Sequence, residues 1–189
     1  MPISIRQIHP VFVGEVSGAD LTRPLSKPDV AAIEAGMDRY AVLVFRSQAV
    51  SDDQQLAFSL DFGRIENAEG GNITKQSEYR LKPGMVDVSN LDQDGRPLER
   101  NDRRRMFNLG NRLWHSDSSF RATPAKYSLL SGRIVSTDGG NTEFADMRAA
   151  YDMLDAATRR QVDDLVCEHS LIYSRGSMGF AGLTDEEKA

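Results

Sequence analysis

Helix-forming segments flank a central region of strand-forming segments in this 189-residue chain, and that order predicts an α+β fold. The helix signals stand in residues 26–63 and 146–169, whereas most strand signals lie in residues 85–145. Strands in mid-chain with helices packed outside suit a jelly-roll core, also called a double-stranded β-helix. With 40% hydrophobic residues, a chain of this length can bury a core as one domain.

Two helices and one strand are predicted before residue 64. The first helix begins at Ser26, which forms a capping-box pair with Asp29 and is followed by an early proline and an apolar face at helical spacing. The continuous apolar run of residues 41–45 predicts a buried strand. Ser51 begins a second capping pattern, and the helix that follows is expected to end at Gly63.

The middle of the chain combines one long loop with several predicted strands. Residues 64–84 show little periodicity, which predicts a loop of the kind that often forms a lid. A turn is expected at Asp94-Gly95. Apolar and aromatic runs predict strands at residues 85–89, 112–120, 127–135 and 141–145.

Helix signals return near the C-terminal end. Asp146 is expected to cap helices that continue to about His169, with Cys167 buried on an apolar face. Thr184 and Glu187 form a further capping-box pair. A helix that starts there has room for about one turn, which is marginal on its own. We therefore expect a fold that is incomplete at its C-terminus.

His115 and Asp117 are the candidate metal ligands. In a strand, residues i and i+2 share one face, so the imidazole and the carboxylate would lie side by side. One nitrogen and one carboxylate ligand make two thirds of the 2-His-1-carboxylate triad that binds non-haem Fe(II). An ordinary surface hydrogen bond between the two side chains is the alternative interpretation.

Longer motifs around this pair resemble a known family. The resemblance rests on WHSDSSF at 114–120, PAKYSLL at 124–130, GGNTEFADMRAAY at 139–151 and AVLVFR at 41–46, together with DQQLAF at 53–58 and the Phe-Gly pair at 62–63. These segments are similar to the TauD/TfdA family of Fe(II)/2-oxoglutarate-dependent dioxygenases, nearest its 2,4-dichlorophenoxyacetate branch. The similarity extends from about His9 to the end of the chain. It implies that residues 1–189 form the N-terminal and central part of a single dioxygenase domain with a jelly-roll fold.

The resemblance also implies a role for individual residues. His115 and Asp117 match the family's first iron-binding histidine and its carboxylate ligand, and Thr142 matches the threonine that helps to hold the distal carboxylate of 2-oxoglutarate. Asn111 matches an asparagine on the substrate and oxygen side of the iron. Lys75, in the predicted lid, is a weaker candidate for substrate contact. The implied reaction consumes 2-oxoglutarate and O2, hydroxylates a small anionic organic substrate such as an aryloxyalkanoate or a sulfonate, and releases succinate and CO2.

The chain departs from the family pattern at two positions. The family supplies a second iron-binding histidine and a late arginine for 2-oxoglutarate, and neither is matched here; His9 and His169 are expected to be surface or packed histidines. We therefore expect a fragment of a longer enzyme that is inactive by itself. A non-catalytic binding module is the alternative. A serine hydrolase built on His115, Asp117 and a neighbouring serine is disfavoured because no Gly-x-Ser-x-Gly motif is present.

Composition and charge limit the partners and the cellular compartment that we expect for this protein. The formal net charge of −5 disfavours general nucleic-acid binding, and a single cysteine excludes an internal disulfide framework and suits a reducing compartment. No apolar run could span a bilayer, and no signal-peptide pattern is present. These features predict a cytoplasmic protein without a membrane partner, and they leave assembly into a homo-oligomer open. Four arginines before the metal motif either form a solvated loop or attract an anionic substrate; they are Arg100, Arg103, Arg104 and Arg105.

Overall fold

The computed structural model describes residues 2–66, 73–74, 78–180 and 182–188, which contain both helices and strands. The strands are β1 (Ser4–Gln7), β2 (Gly14–Ser17) and β3 (Leu43–Phe45). The α-helices are α1 (Lys27–Tyr40), α2 (Asp52–Leu60), α3 (Arg103–Asn108), α4 (Met147–Asp152), α5 (Ala156–Val162), α6 (Leu171–Ser177) and α7 (Asp185–Lys188), and a 3₁₀ helix covers Leu109–Arg112. No helix in the described part of the chain is long and apolar enough to cross a membrane.

The chain divides into two compact units. The first unit contains Met1–Arg64 and Leu129–Val166, and the second contains Ile65–Ser128 and Cys167–Ala189. In the first unit, β2 lies between β1 and β3; it pairs antiparallel with β1 and parallel with β3. The parallel pair requires a crossover, which α1 supplies.

The core of the first unit lies where α1 packs closely against the sheet. Ile33 and Tyr40 are buried on the inner face of α1. A Cβ atom added at Gly36 would lie 2.4 Å from Cδ1 of Ile5, and one added at Gly14 would lie 2.6 Å from Cγ2 of the same residue. The two glycines therefore allow the helix and the sheet to approach each other around Ile5.

Helix starts that the sequence predicted are confirmed by their caps. The Ser26 side chain accepts a hydrogen bond from the Asp29 amide, and Ser51 and Gln54 complete a capping box. The Asp146 side chain caps α4 by accepting from the Arg148 amide. These caps are local, so the residues that form them lie within three positions of each other.

Four predicted strands are wrong for the described residues. Residues 85–89, 112–120, 127–135 and 141–145 form no strand, and the described chain beyond β3 contains a single isolated bridge, between Leu91 and Pro97. A strand exists only when a second strand completes its hydrogen-bond ladder, and no described segment pairs with these four. The α+β class is confirmed, whereas the jelly-roll core stays a prediction.

Two predictions for the last third of the chain also need correction. The helices after Asp146 end at Val162 rather than near His169, and Cys167 is exposed rather than buried.

The turn at Asp94-Gly95 forms as expected, with the Gly95 amide donating to the Asp92 carbonyl at 3.0 Å. The Thr184–Glu187 capping box forms as well, since each residue's backbone N–H donates to the other's side chain.

Candidate metal-binding site

His115 and Asp117 lie side by side in the second unit. Nε2 of His115 is 3.2 Å from Oδ1 of Asp117, and both side chains are about half exposed. The backbone is not a strand, as the sequence analysis assumed: His115 is in irregular chain after the 3₁₀ helix, and Asp117 opens a turn. The turn bends the chain so that the two side chains meet without a ladder.

The hydrogen bond of His115 determines which ring nitrogen is available. Nδ1 of His115 lies 2.6 Å from the carbonyl oxygen of Leu113. A carbonyl can only accept, so Nδ1 carries a proton, and a neutral ring has its lone pair on Nε2. Nε2 faces the Asp117 carboxylate, so in the neutral ring its lone pair is available to a metal ion, whereas in the protonated ring its N–H donates to Asp117.

This geometry fits a divalent metal ion. Ligand bonds of about 2.1 Å in an octahedral site place neighbouring ligand atoms about 3 Å apart, close to the separation between His115 and Asp117. No group of three His, Cys, Asp or Glu side chains converges here or elsewhere among the described residues. The pair could therefore supply two ligands, and a complete triad requires one more.

Side chains distant in sequence hold the turn that carries Asp117. Ser118 takes a left-handed conformation, with φ of 56°, and its hydroxyl donates to Glu66 at 2.5 Å. The other oxygen of Glu66 lies 2.5 Å from Nε of Arg121. A residue other than glycine rarely adopts positive φ, so these contacts stabilise an otherwise unfavourable turn.

His169 also contacts the turn. Its Nδ1 lies 2.6 Å from the hydroxyl of Ser119, and the side chain is exposed. The expectation that His169 is a surface histidine is therefore confirmed, but the sequence analysis missed its partner. No local pattern could have revealed this contact, since 50 residues separate the two side chains.

The remaining candidate residues lie in different parts of the chain. Asn111 is on the 3₁₀ helix of the second unit, where its Oδ1 accepts a hydrogen bond from Arg175 at 3.1 Å. Thr142 belongs to the first unit and is exposed, in irregular chain after two glycines with positive φ. Lys75 lies outside the described residues.

The arginines before the metal motif are engaged in local contacts. Arg104 pairs with Asp102 at 3.0 Å, and Arg105 donates to the carbonyl of Arg100 at 2.6 Å. Arg103 donates to both carboxylate oxygens of Glu187. These contacts disfavour attraction of a substrate, but the predicted solvated loop is wrong for three of the arginines, which lie on α3.

The Arg103–Glu187 pair predicts an acid-sensitive contact. Hydrogen bonds from Arg103, and then from the Thr184 amide, lower the pKa of Glu187 to about 2. Because the folded pKa is below the unfolded value, the stabilisation is present above pH 4.5 and is lost as the pH falls toward 2. Solvent screening limits it to about 1 kcal/mol. Urea titrations at pH 6 and pH 3 should show a smaller acid-induced loss in Arg103→Met than in the wild type; equal losses would contradict the assignment.

A match to a family model identifies the class of protein. Residues 4–188 match the model described as the taurine catabolism dioxygenase TauD, TfdA family. The chain belongs to this family, as the motifs predicted.

Individual relatives place the chain more closely within the family. It is 40% identical to the alpha-ketoglutarate-dependent 2,4-dichlorophenoxyacetate dioxygenase of Burkholderia sp. (strain RASC), over all of this chain and 63% of that protein. It is 37% identical to the (S)-phenoxypropionate/alpha-ketoglutarate-dioxygenase of Delftia acidovorans, over 92% of this chain and 57% of that protein. The chain thus spans about three fifths of these relatives' lengths.

A solved structure agrees with the fold. The chain is similar to AAD-2, whose crystal structure contains Mn(II) and N-oxalylglycine, with a TM-score of 0.95 and 60% sequence identity. The match covers 100% of this chain and 65% of the AAD-2 chain.

Proposed function

We propose that this protein acts in an Fe(II)- and 2-oxoglutarate-dependent dioxygenase that hydroxylates a small anionic organic substrate, with succinate and CO2 as co-products. The observation that carries this proposal is the arrangement of His115. Its Nδ1 faces the Leu113 carbonyl, so Nε2, the nitrogen that carries the lone pair in a neutral ring, faces the Asp117 carboxylate at 3.2 Å. A metal ion bound to both atoms would take the place of a proton on Nε2, and a nitrogen with a carboxylate oxygen suits Fe(II).

Similarity to characterised proteins supports the cosubstrate and the substrate class. The two relatives described above are named for 2-oxoglutarate together with an aryloxyalkanoate, and the AAD-2 crystal contains a divalent metal. Because one family model matches residues 4–188, we also propose that both units belong to one dioxygenase domain. An aryloxyalkanoate-like substrate is favoured, with a sulfonate-like substrate as the second candidate.

Each candidate residue has a distinct task in this proposal. His115 and Asp117 bind the metal, and the Glu66–Ser118 and Glu66–Arg121 contacts keep Asp117 in position. The Thr142 hydroxyl donates to the distal carboxylate of 2-oxoglutarate, whereas Asn111 and Lys75 contact the substrate. When bound, Fe(II) supplies the redox chemistry that couples decarboxylation of 2-oxoglutarate to hydroxylation.

Succinate formation tests the proposal directly. The complete dioxygenase that contains residues 1–189, with the third metal ligand that the described residues do not supply, is incubated with 2-oxoglutarate, O2 and phenoxyacetate, and Fe(II) is added or removed by a chelator. We expect succinate to appear when Fe(II) is present and N-oxalylglycine to inhibit its formation. Succinate production that a chelator does not reduce, or its absence under all of these conditions, would contradict the proposal.

Replacement of Thr142 by valine separates cofactor binding from turn formation. Valine keeps the branched shape but removes the hydroxyl, and a hydrogen bond to a charged group contributes about 1.5–3 kcal/mol. We therefore expect about a ten- to hundredfold weaker apparent affinity for 2-oxoglutarate, with near-normal Tm. Thr142→Ser should retain most of the affinity, and Thr137→Val, on the same exposed segment, is the matched control. Equal affinity in Thr142→Val and the wild type would limit Thr142 to a structural role.

A further inference from the structure

Arg175 is a partly buried cation in the second unit to which neither the motifs nor the family resemblance assigns a role. It lies on α6, and its Nη2 donates to Oδ1 of Asn111 at 3.1 Å. Its guanidinium carbon lies 4.8 Å from the centre of the Phe107 ring. No carboxylate of the described chain pairs with Arg175, and burial lowers the pKa of its guanidinium. A desolvated arginine without an acidic partner is energetically costly, so its position here requires an explanation other than ion pairing.

Gly110 makes room for this arginine. A Cβ atom added at Gly110 would lie 1.8 Å from Nη1 of Arg175 and 2.4 Å from its Cζ. Such distances are far below van der Waals contact, so any side chain at position 110 would displace the guanidinium. Arg175 therefore lies directly against the backbone of the 3₁₀ helix, next to Asn111.

The contact determines which end of the Asn111 amide is presented. A guanidinium has donors and no acceptor, so the oxygen of the amide must face Arg175 and the NH2 group must face away. Asn111 is exposed, and no other hydrogen bond holds its side chain among the described residues. The outer face of Asn111 is consequently a pair of N–H donors.

The same helix leads to the metal-binding pair. The Leu113 amide donates to the Gly110 carbonyl at 3.1 Å, and the Leu113 carbonyl accepts from His115. Arg175 thus contacts the start of a short segment that also orients His115. The donors of Asn111 and the ligand nitrogen of His115 are held by one continuous piece of backbone.

We propose that Arg175 is a positioning residue, which holds the Asn111 amide so that its NH2 group donates to an acceptor oxygen of the anionic substrate. This inference rests on the proposed function, because it assigns Asn111 to substrate binding. Without Arg175 the amide can rotate, and either end can face the substrate. The substrate class that this arrangement selects carries a carboxylate or a similar oxygen anion.

Side-chain amide signals in ¹⁵N-edited NMR spectra test the contact without metal or turnover. We expect phenoxyacetate to shift the Asn111 NH2 signal in the wild type. In Arg175→Met the signal should move in the free protein and respond less to phenoxyacetate. An Asn111 signal that phenoxyacetate leaves unchanged in the wild type, or that Arg175→Met leaves unchanged, would overturn the inference. These spectra test the positioning role of Arg175 even if no succinate forms. The absence of succinate would count against the proposed function alone.

A double-mutant cycle distinguishes positioning from direct binding by Arg175. In the complete dioxygenase, we expect Arg175→Met to raise KM for phenoxyacetate about tenfold, with little change in kcat and in KM for 2-oxoglutarate. In an Asn111→Ala background the same substitution should change KM less than twofold. An undiminished effect in that background would show that Arg175 binds the anion itself and would overturn the inference.

Gly110→Ala provides a second perturbation that keeps the charge of Arg175. It should displace the guanidinium and raise KM as Arg175→Met does. Gly176→Ala on α6, where an added Cβ atom meets nothing within 4 Å, is the matched control. A Gly110→Ala variant that folds with wild-type Tm and wild-type KM would contradict the proposed arrangement.

Discussion

Replacement of His115 by alanine is expected to abolish specific binding of a divalent metal ion and, with it, succinate formation. The substitution removes Nε2, which faces Asp117 at 3.2 Å, and leaves one of the two proposed ligands. Changes to groups that merely orient a metal ligand typically cost 10- to 100-fold in metal affinity, so loss of a ligand should cost at least about 100-fold. Asp117→Asn should act similarly, because it keeps the shape of the side chain and removes its charge.

Titration calorimetry with Mn(II) and thermal unfolding with and without the metal measure this effect. Since a ligand that binds the folded state raises Tm, Mn(II) should raise Tm of the wild type and not that of His115→Ala. His9→Ala, in the first unit, is the matched control and should keep the wild-type response. An unchanged Mn(II) affinity in His115→Ala would remove this residue from the metal site.

Replacement of Phe107 by alanine is expected to destabilise the second unit by about 3–5 kcal/mol. Phe107 is 4% exposed and forms the core of this unit with Ile73 and Phe180. Its ring meets that of Phe180 edge to face, with centroids 5.5 Å apart. The contact of the Phe107 ring with the Arg175 guanidinium would be lost as well.

Urea denaturation followed by fluorescence measures the free energy of unfolding of this variant. Phe120→Ala is the control, because Phe120 is 48% exposed and should change stability by less than about 1 kcal/mol. A loss below 1 kcal/mol in Phe107→Ala would show that the cluster around Phe180 does not form the core of the second unit.

Helix starts were predictable because their signals are local. Ser26, Ser51 and Asp146 each receive a hydrogen bond from an amide two or three residues away, so the pattern and the structure involve the same few positions. Strand predictions in residues 112–145 failed for the opposite reason. Apolar alternation shows that a segment is suited to a sheet, but pairing depends on a partner elsewhere in the chain.

In the candidate site as well, local contacts were predictable and contacts between residues distant in sequence were not. The proximity of His115 and Asp117 was predictable from two residues of spacing, although a turn rather than a strand brings them together. The contacts of Glu66 with Ser118 and of Arg175 with Asn111 join positions 52 and 64 residues apart. Nothing local in the sequence distinguishes Glu66 and Arg175 from solvated surface residues.

The contact between Gly110 and Arg175 links two positions that would otherwise vary independently. A chain with a side chain at position 110 has no room for an arginine at 175 in this conformation, and a chain with a shorter residue at 175 no longer requires glycine at 110. Related sequences should therefore carry these two residues together or replace them together. Libraries that randomise position 110 alone would sample mostly variants with a displaced arginine, so the two codons should be varied as a pair.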